Sequence, residues 1–194
     1  MSATRIVRPR KSVPNGIWGM ALFLCAEVSL FGLLIGTYFY LDFIARSWPP
    51  YGIKAPSVVL PLVATAVLLA TLVPIRFASR AARADRRGAA ITAIAIALVI
   101  QGCYLALQIL LFAHDLNQFS PQRSAYGSIY FTLLAVHHAH VLLGILLDLA
   151  LIWMLATRGL TEYWKVGVRV LALYWYVVGG VAVFVVLTQL APSL

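Results

Sequence analysis

The chain has 194 residues, of which 62% are hydrophobic and 11% charged, with a mean hydropathy of +0.92. Soluble domains carry about 25% charged residues, so the composition excludes a soluble globular enzyme. The formal net charge of +9 sits in short segments between long apolar runs, a placement that points to a membrane and away from nucleic acid.

Residues 1–15 form a basic segment containing Arg5, Arg8, Arg10 and Lys11. After it the chain reads as five apolar spans at roughly 16–40, 57–76, 89–113, 127–156 and 169–190. Each reaches the roughly 20 residues a helix needs to cross about 30 Å of hydrocarbon. The runs are continuous and not alternating, which excludes the strands of a β-barrel. The expected architecture is an all-α membrane protein, with residues 16–194 forming one domain of five transmembrane helices. The first span is not expected to be a cleaved signal peptide, because it is longer than an h-region and lacks a clear small-x-small cleavage site.

Span one carries Glu27 in the middle of the apolar stretch Gly16 to Tyr40. A carboxyl group at that depth is costly and should face the bundle interior with a partner. Phe23 and Phe31 lie one helical turn to either side. Two states suit such a place: a protonated hydrogen-bond donor, or a carboxylate paired with a cation. The first reading of Glu27 is a proton-accessible or lipid-associated site; the alternative is a hydrogen bond that locks helix packing. Gly32 and Gly36 form a G-x-x-x-G pair expected at a helix contact. Trp18, Trp48, Tyr51, Tyr126, Tyr163 and Trp164 fall near the expected interfaces, as belt aromatics do.

Span two contains Pro61 in its first turns and Pro74 near its end, where a kink or stop is expected. A basic group follows: Arg76, Arg80, Arg83, Arg86 and Arg87. Span three is alanine-rich in its first half. Its Gln101, Tyr104 and Gln108 recur at spacings of three and four and should face the bundle as hydrogen bonders. Cys25 and Cys103 read as small buried packing residues, neither a disulfide nor a metal pair.

Span four holds His137, His138 and His140. His137 and His140 share a helical face, while His138 points about 100° away, toward a partner subunit or a polar cavity. The remaining histidine, His114, lies near an interface, and one short helical segment cannot supply both axial ligands of a haem. No metal or cofactor is therefore expected in this chain, and the histidines read as hydrogen bonders. Asp148 lies further along, with Arg158 or Arg169 in snorkelling reach. A third basic group, Arg158, Lys165 and Arg169, separates spans four and five.

Only Arg46, Lys54 and Arg123 lie in the other loops. By the positive-inside rule the N-terminus is cytoplasmic and the C-terminus outside, and the basic loops should meet anionic lipid headgroups. No P-loop, dinucleotide fingerprint or nucleophile elbow is present; Ser29 is the one central serine, with no base assigned to it. No catalytic residue is named.

Three spans together resemble subunit III of the haem-copper oxidases. The run Gly19 to Gly32, with Glu27 and then Tyr38, resembles the glutamate-bearing helix of that family. Tyr126-Gly127-Ser128-Ile129-Tyr130-Phe131, then His137-His138-Ala139-His140-Val141 and Gly144, resembles its Y-G-S-x-F-F and H-G-x-H-V-x-x-G patterns. Tyr174-Trp175 stands where the family has Y-W-H-F-V-D. The chain departs from the pattern at His138, where glycine is usual, at Tyr176 and Gly179, where histidine and aspartate are usual, and at Leu111, where glutamate is common.

The resemblance implies a divergent, five-helix bacterial form in the cytoplasmic (inner) membrane. It implies a non-catalytic subunit of a respiratory cytochrome c or quinol oxidase, packed on subunit I and other oxidase subunits. Phospholipids would be held in a cleft, proton uptake supported, and haem and copper confined to partner subunits. It makes Glu27 the carboxyl group that reacts with carbodiimides, with His137 and His140 as companions. The related accessory subunit of nitric oxide reductase is the alternative. A proton-coupled transporter using Glu27 and the histidines is a third reading, without the paired broken helices common in transporters.

Overall fold

In a computed structural model the chain is described over residues 13–53 and 59–193. Arg5, Arg8, Arg10, Lys11 and Lys54 lie outside the described residues, as do positions 57 and 58 of the expected second span. The described residues form α1 (Asn15–Ile44), α2 (Val59–Ala70), α3 (Leu72–Arg83), α4 (Arg87–Gln118), α5 (Ala125–Arg158) and α6 (Glu162–Leu190), with a short 3-10 turn after α6 and no strand among them. Because α2 continues into α3, these are five rods, each long and apolar enough to cross a membrane. Backbone groups in hydrocarbon must be satisfied within the segment, so a long apolar run resolves as helix.

The second rod breaks at Thr71 and then continues to Arg83, so Pro74 interrupts it without ending it. Pro74 has no amide hydrogen to offer the carbonyl of Ala70. At the break Thr71 donates its hydroxyl to the Leu68 carbonyl at 2.7 Å. The rod outruns the expected span because α3 is two-faced: Ile75, Ala78, Ala81 and Ala82 are buried, while arginines recur on the other side. It closes with Asp85 at φ 58°. There the Arg86 amide donates to the Ala81 carbonyl and the Asp85 amide to that of Ala82, the double bond of a Schellman cap.

α6 begins at Glu162, well before the expected start, so Lys165 and Arg169 are helical and not loop residues. Thr161 caps that start by accepting from the Trp164 amide, with acidic Glu162 in the first turn. Hydropathy alone misses these polar interfacial turns.

The rod α2–α3, α4, α5 and α6 pack in a ring, and α1 lies outside it against α5 and α6. α6 is the most covered rod and α1 the least. Small residues set the closest approaches. Ala78, Ala81 and Ala82 of α3 and Ala90, Ala93 and Ala97 of α4 share one buried cluster. A methyl group on Gly144 would stand 2.5 Å from Trp175 Cζ2. The G-x-x-x-G expectation is not met within the chain, since open space faces both Gly32 and Gly36. Cys25 and Cys103 are free and exposed on the bundle surface, not buried; a thiol is apolar enough to face lipid.

Both turns of the basic end are tied together. Lys165 Nζ donates to Asp85 Oδ1 at 2.6 Å and to Glu162 Oε1 at 2.7 Å, and Arg87 Nη2 donates to the Ala156 carbonyl at 2.5 Å. At the other end Tyr38, Trp48, Tyr126 and Phe119 form an aromatic cluster with ring centroids 5.0–6.3 Å apart. Tyr126 is therefore a core residue and not a belt residue. Trp18, Tyr51 and Tyr163 are exposed.

Candidate functional site: a glutamate–histidine pair between α1 and α5

The structure brings Glu27 and His140 together. Glu27 Oε2 lies 2.5 Å from His140 Nε2, and both side chains are largely covered. The other ring nitrogen, Nδ1, stands 2.7 Å from the Val136 carbonyl. A carbonyl only accepts, so Nδ1 carries hydrogen. Two states remain for the 2.5 Å bridge. Either a protonated Glu27 donates to neutral Nε2, or an imidazolium donates to a carboxylate. Both place one proton in the bridge and leave the pair with no net charge, which is what a membrane interior tolerates.

Neighbours hold this geometry. Tyr174 of α6 donates its hydroxyl to the His140 carbonyl at 2.6 Å, and the Phe31 ring meets His140 edge-on at 5.2 Å. A cavity of about 10 Å³ beside the pair is lined by Leu24, Phe31, His137 and Val178 among others; it is no larger than one water needs.

His137 does not join the pair. Buried at 2% exposure, it meets Tyr104 Oη through Nε2 at 3.3 Å, and Gln108 donates to that same hydroxyl at 2.9 Å. His138 lies edge-on to Phe112 on another face. The stripe of Gln101, Tyr104 and Gln108 is buried as the spacing predicts. Ser29 bonds the carbonyl of Cys25 in its own helix at 2.9 Å and faces outward.

Asp148 is fully buried and its partners are neither Arg158 nor Arg169. Trp175 Nε1 donates to Asp148 Oδ1 at 3.2 Å. The Gln101 amide, oriented by its surroundings, donates to Asp148 Oδ2 at 2.7 Å and to the Ala97 carbonyl at 3.2 Å. This network joins α4, α5 and α6. The arginines were the natural expectation for a buried carboxylate. Neutral donors nearer at hand satisfy it without bringing a further charge inside.

Sequence reading marks Tyr174 and Trp175 only as part of a resemblance. Their signal was chemical: polar-tipped aromatics inside a span need acceptors, and α5 supplies one to each. Gly179 faces Leu69 and Leu72, on either side of the break at Thr71, so it gives room to the broken rod. Tyr176 lines a cavity of about 200 Å³ with Arg76, Arg83 and Arg169.

Comparison with known proteins places the chain in a family. The family described as cytochrome c oxidase subunit III matches residues 4–190. Subunit 3 of the cytochrome bo(3) ubiquinol oxidase of Pseudomonas aeruginosa is 30% identical, covering 84% of this chain and 78% of that protein. A probable quinol oxidase subunit 3 of Staphylococcus haemolyticus is 29% identical, covering 88% and 84%. Cytochrome c oxidase subunit 3 of Pisaster ochraceus is 29% identical, covering 89% and 68%. With five membrane-length helices and a match over nearly its whole length, the chain belongs to the cytochrome c oxidase subunit III family.

Proposed function

We propose that this chain is the non-catalytic subunit III of a respiratory haem-copper terminal oxidase in a bacterial cytoplasmic membrane. It packs on subunit I, supports oxygen reduction and proton pumping there, and leaves the electron donor, cytochrome c or quinol, to be set by its partners. The family match across residues 4–190 carries this reading.

The chemistry of the chain suits a supporting role. His140 has both ring nitrogens engaged, and the cavities beside the histidines, of about 40 and 10 Å³, are far too small for a macrocycle. The residues present do not fit a haem, and we place haem and copper in partner subunits. Glu27, His137, His140 and Asp148 act as buried polar groups. Glu27 with His140 is the proton-accessible one, and Asp148 is the structural one.

We place the basic end at the cytoplasmic face, which puts the N-terminus inside and the C-terminus outside. The cavity edged by Arg76, Arg83 and Arg169 then lies at headgroup depth. There it binds a phospholipid phosphate through charge-assisted hydrogen bonds.

Gentle purification of the chain from its native membrane tests the assignment. The expected result is co-purification with a subunit that carries haem and copper. A partner with haem and non-haem iron would instead assign the chain to a nitric oxide reductase. A Soret band from the isolated chain, or proton-coupled transport by the chain alone in liposomes, would overturn the reading.

A further inference from the structure

A second polar region lies in the half of the bundle toward the α4–α5 loop, and the glutamate–histidine pair does not use it. It is a cavity of about 40 Å³ between α2, α4, α5 and α6. One water needs roughly 10–15 Å³ of such space, so there is room for roughly three. Its walls bring polar groups from all four helices, among them Tyr104, His137, His138 and Gln189. His137 Nδ1, His138 Nε2 and Gln189 Nε2 are fully buried and have no protein hydrogen-bond partner. Buried nitrogens of this kind are seldom left without one, and these three belong to residues that line one cavity.

Tyr104 Oη accepts from Gln108 and meets His137 Nε2. Whichever ring nitrogen carries the hydrogen, His137 Nδ1 has no protein partner. His137 also lines the small cavity beside Glu27 and His140, so it is the wall common to both spaces. At its far end the larger cavity reaches Asp115, which accepts from Tyr130 at 2.7 Å and is only partly covered.

The geometry points to an internal water site: a cluster of roughly three waters held by His137, His138 and Gln189. It gives the bridging proton of Glu27 and His140 an exchange path toward the α4–α5 end. No bond changes apart from proton hops: water hands a proton to one face of the chain of donors and recovers one at the other. Asp115 is the residue of α4 nearest the loop that lines the cavity. A bulkier apolar group in the cavity would close the path without touching the pair.

Two measurements on the intact complex test this. Electron cryomicroscopy at a resolution that shows water should find density within hydrogen-bond distance of His137 Nδ1, His138 Nε2 and Gln189 Nε2. An acyl chain, a side chain from another subunit, or no density in that space would overturn the site. Infrared spectroscopy after transfer to heavy water should show the bridging proton, read at the Glu27 carboxyl or the His140 imidazolium, exchanging several-fold more slowly in Gln189→Leu and in Ala182→Leu than in the unaltered complex. Unchanged exchange in both folded variants would overturn the path. If neither variant assembles, the density in the unaltered complex decides the site on its own.

Discussion

Glu27 and His140 sit 113 positions apart in sequence and 2.5 Å apart in space, and the bridge between them joins the outermost helix to the ring. α1 has little other polar hold. Its Ser29 and Thr37 hydroxyls turn back onto their own helix, and among the described helices it packs only on α5 and α6. On the proposed reading the pair has two jobs, docking α1 and sheltering a proton, and these can be separated.

Glu27→Gln keeps a side chain of the same shape that can donate its amide to His140 Nε2. The complex should assemble in near-normal yield and lose carbodiimide labelling at this position. Glu27→Leu leaves a buried imidazole nitrogen unpaired, at a cost of about 1–3 kcal/mol. Its complex should melt earlier and lose this chain during purification. Equal assembly of both variants would show that the bridge does not dock α1.

Asp148→Leu should be the more damaging change to the chain itself. It strands the Trp175 N–H and the Gln101 amide together, in a place with no exposure. The expected loss is about 1–3 kcal/mol for each unpaired group, read as a lower melting temperature and altered Trp175 fluorescence. Asp148→Asn keeps one acceptor oxygen and should fall between the two.

Glycines of equal helix propensity should behave unequally. Gly144→Ala forces a methyl against Trp175 and should cost about 1–3 kcal/mol by overpacking. Gly32→Ala and Gly36→Ala meet nothing within 4 Å, and the isolated chain should tolerate them. Thermal melts of the three variants, in the chain alone and in the complex, test the contrast. A loss at Gly32 or Gly36 confined to the complex would put that face against another subunit.

Replacing Arg76 and Arg169 together with glutamine should strip phospholipid from the purified complex. Native mass spectrometry would count the lipids retained. Unchanged retention would remove the arginine-edged cavity from the lipid-binding reading.

The five rods were legible because hydrocarbon imposes one rule on all of them. Glu27 was legible as a site because its cost is so high that a partner is required. Which partner was not, since His137 and His140 share a face and only the packed structure turns His140 to α1 and His137 to α4. Asp148 shows the limit most clearly: sequence names no partner and puts only arginines within reach, and packing supplies an indole and an amide from two other helices. The early start of α6 and the continuation of α3 were hidden because their polar turns lower the hydropathy while their alanine and valine faces stay buried.

The joint at Thr71 carries a mechanical meaning. Below it, α3 is wedged by alanines against α4; above it, α2 shares the rod but not that grip. A bilayer that thickens or thins need not bend a stiff pole from end to end. It can instead tip the upper piece about a point where proline has already removed one rung of the helical ladder.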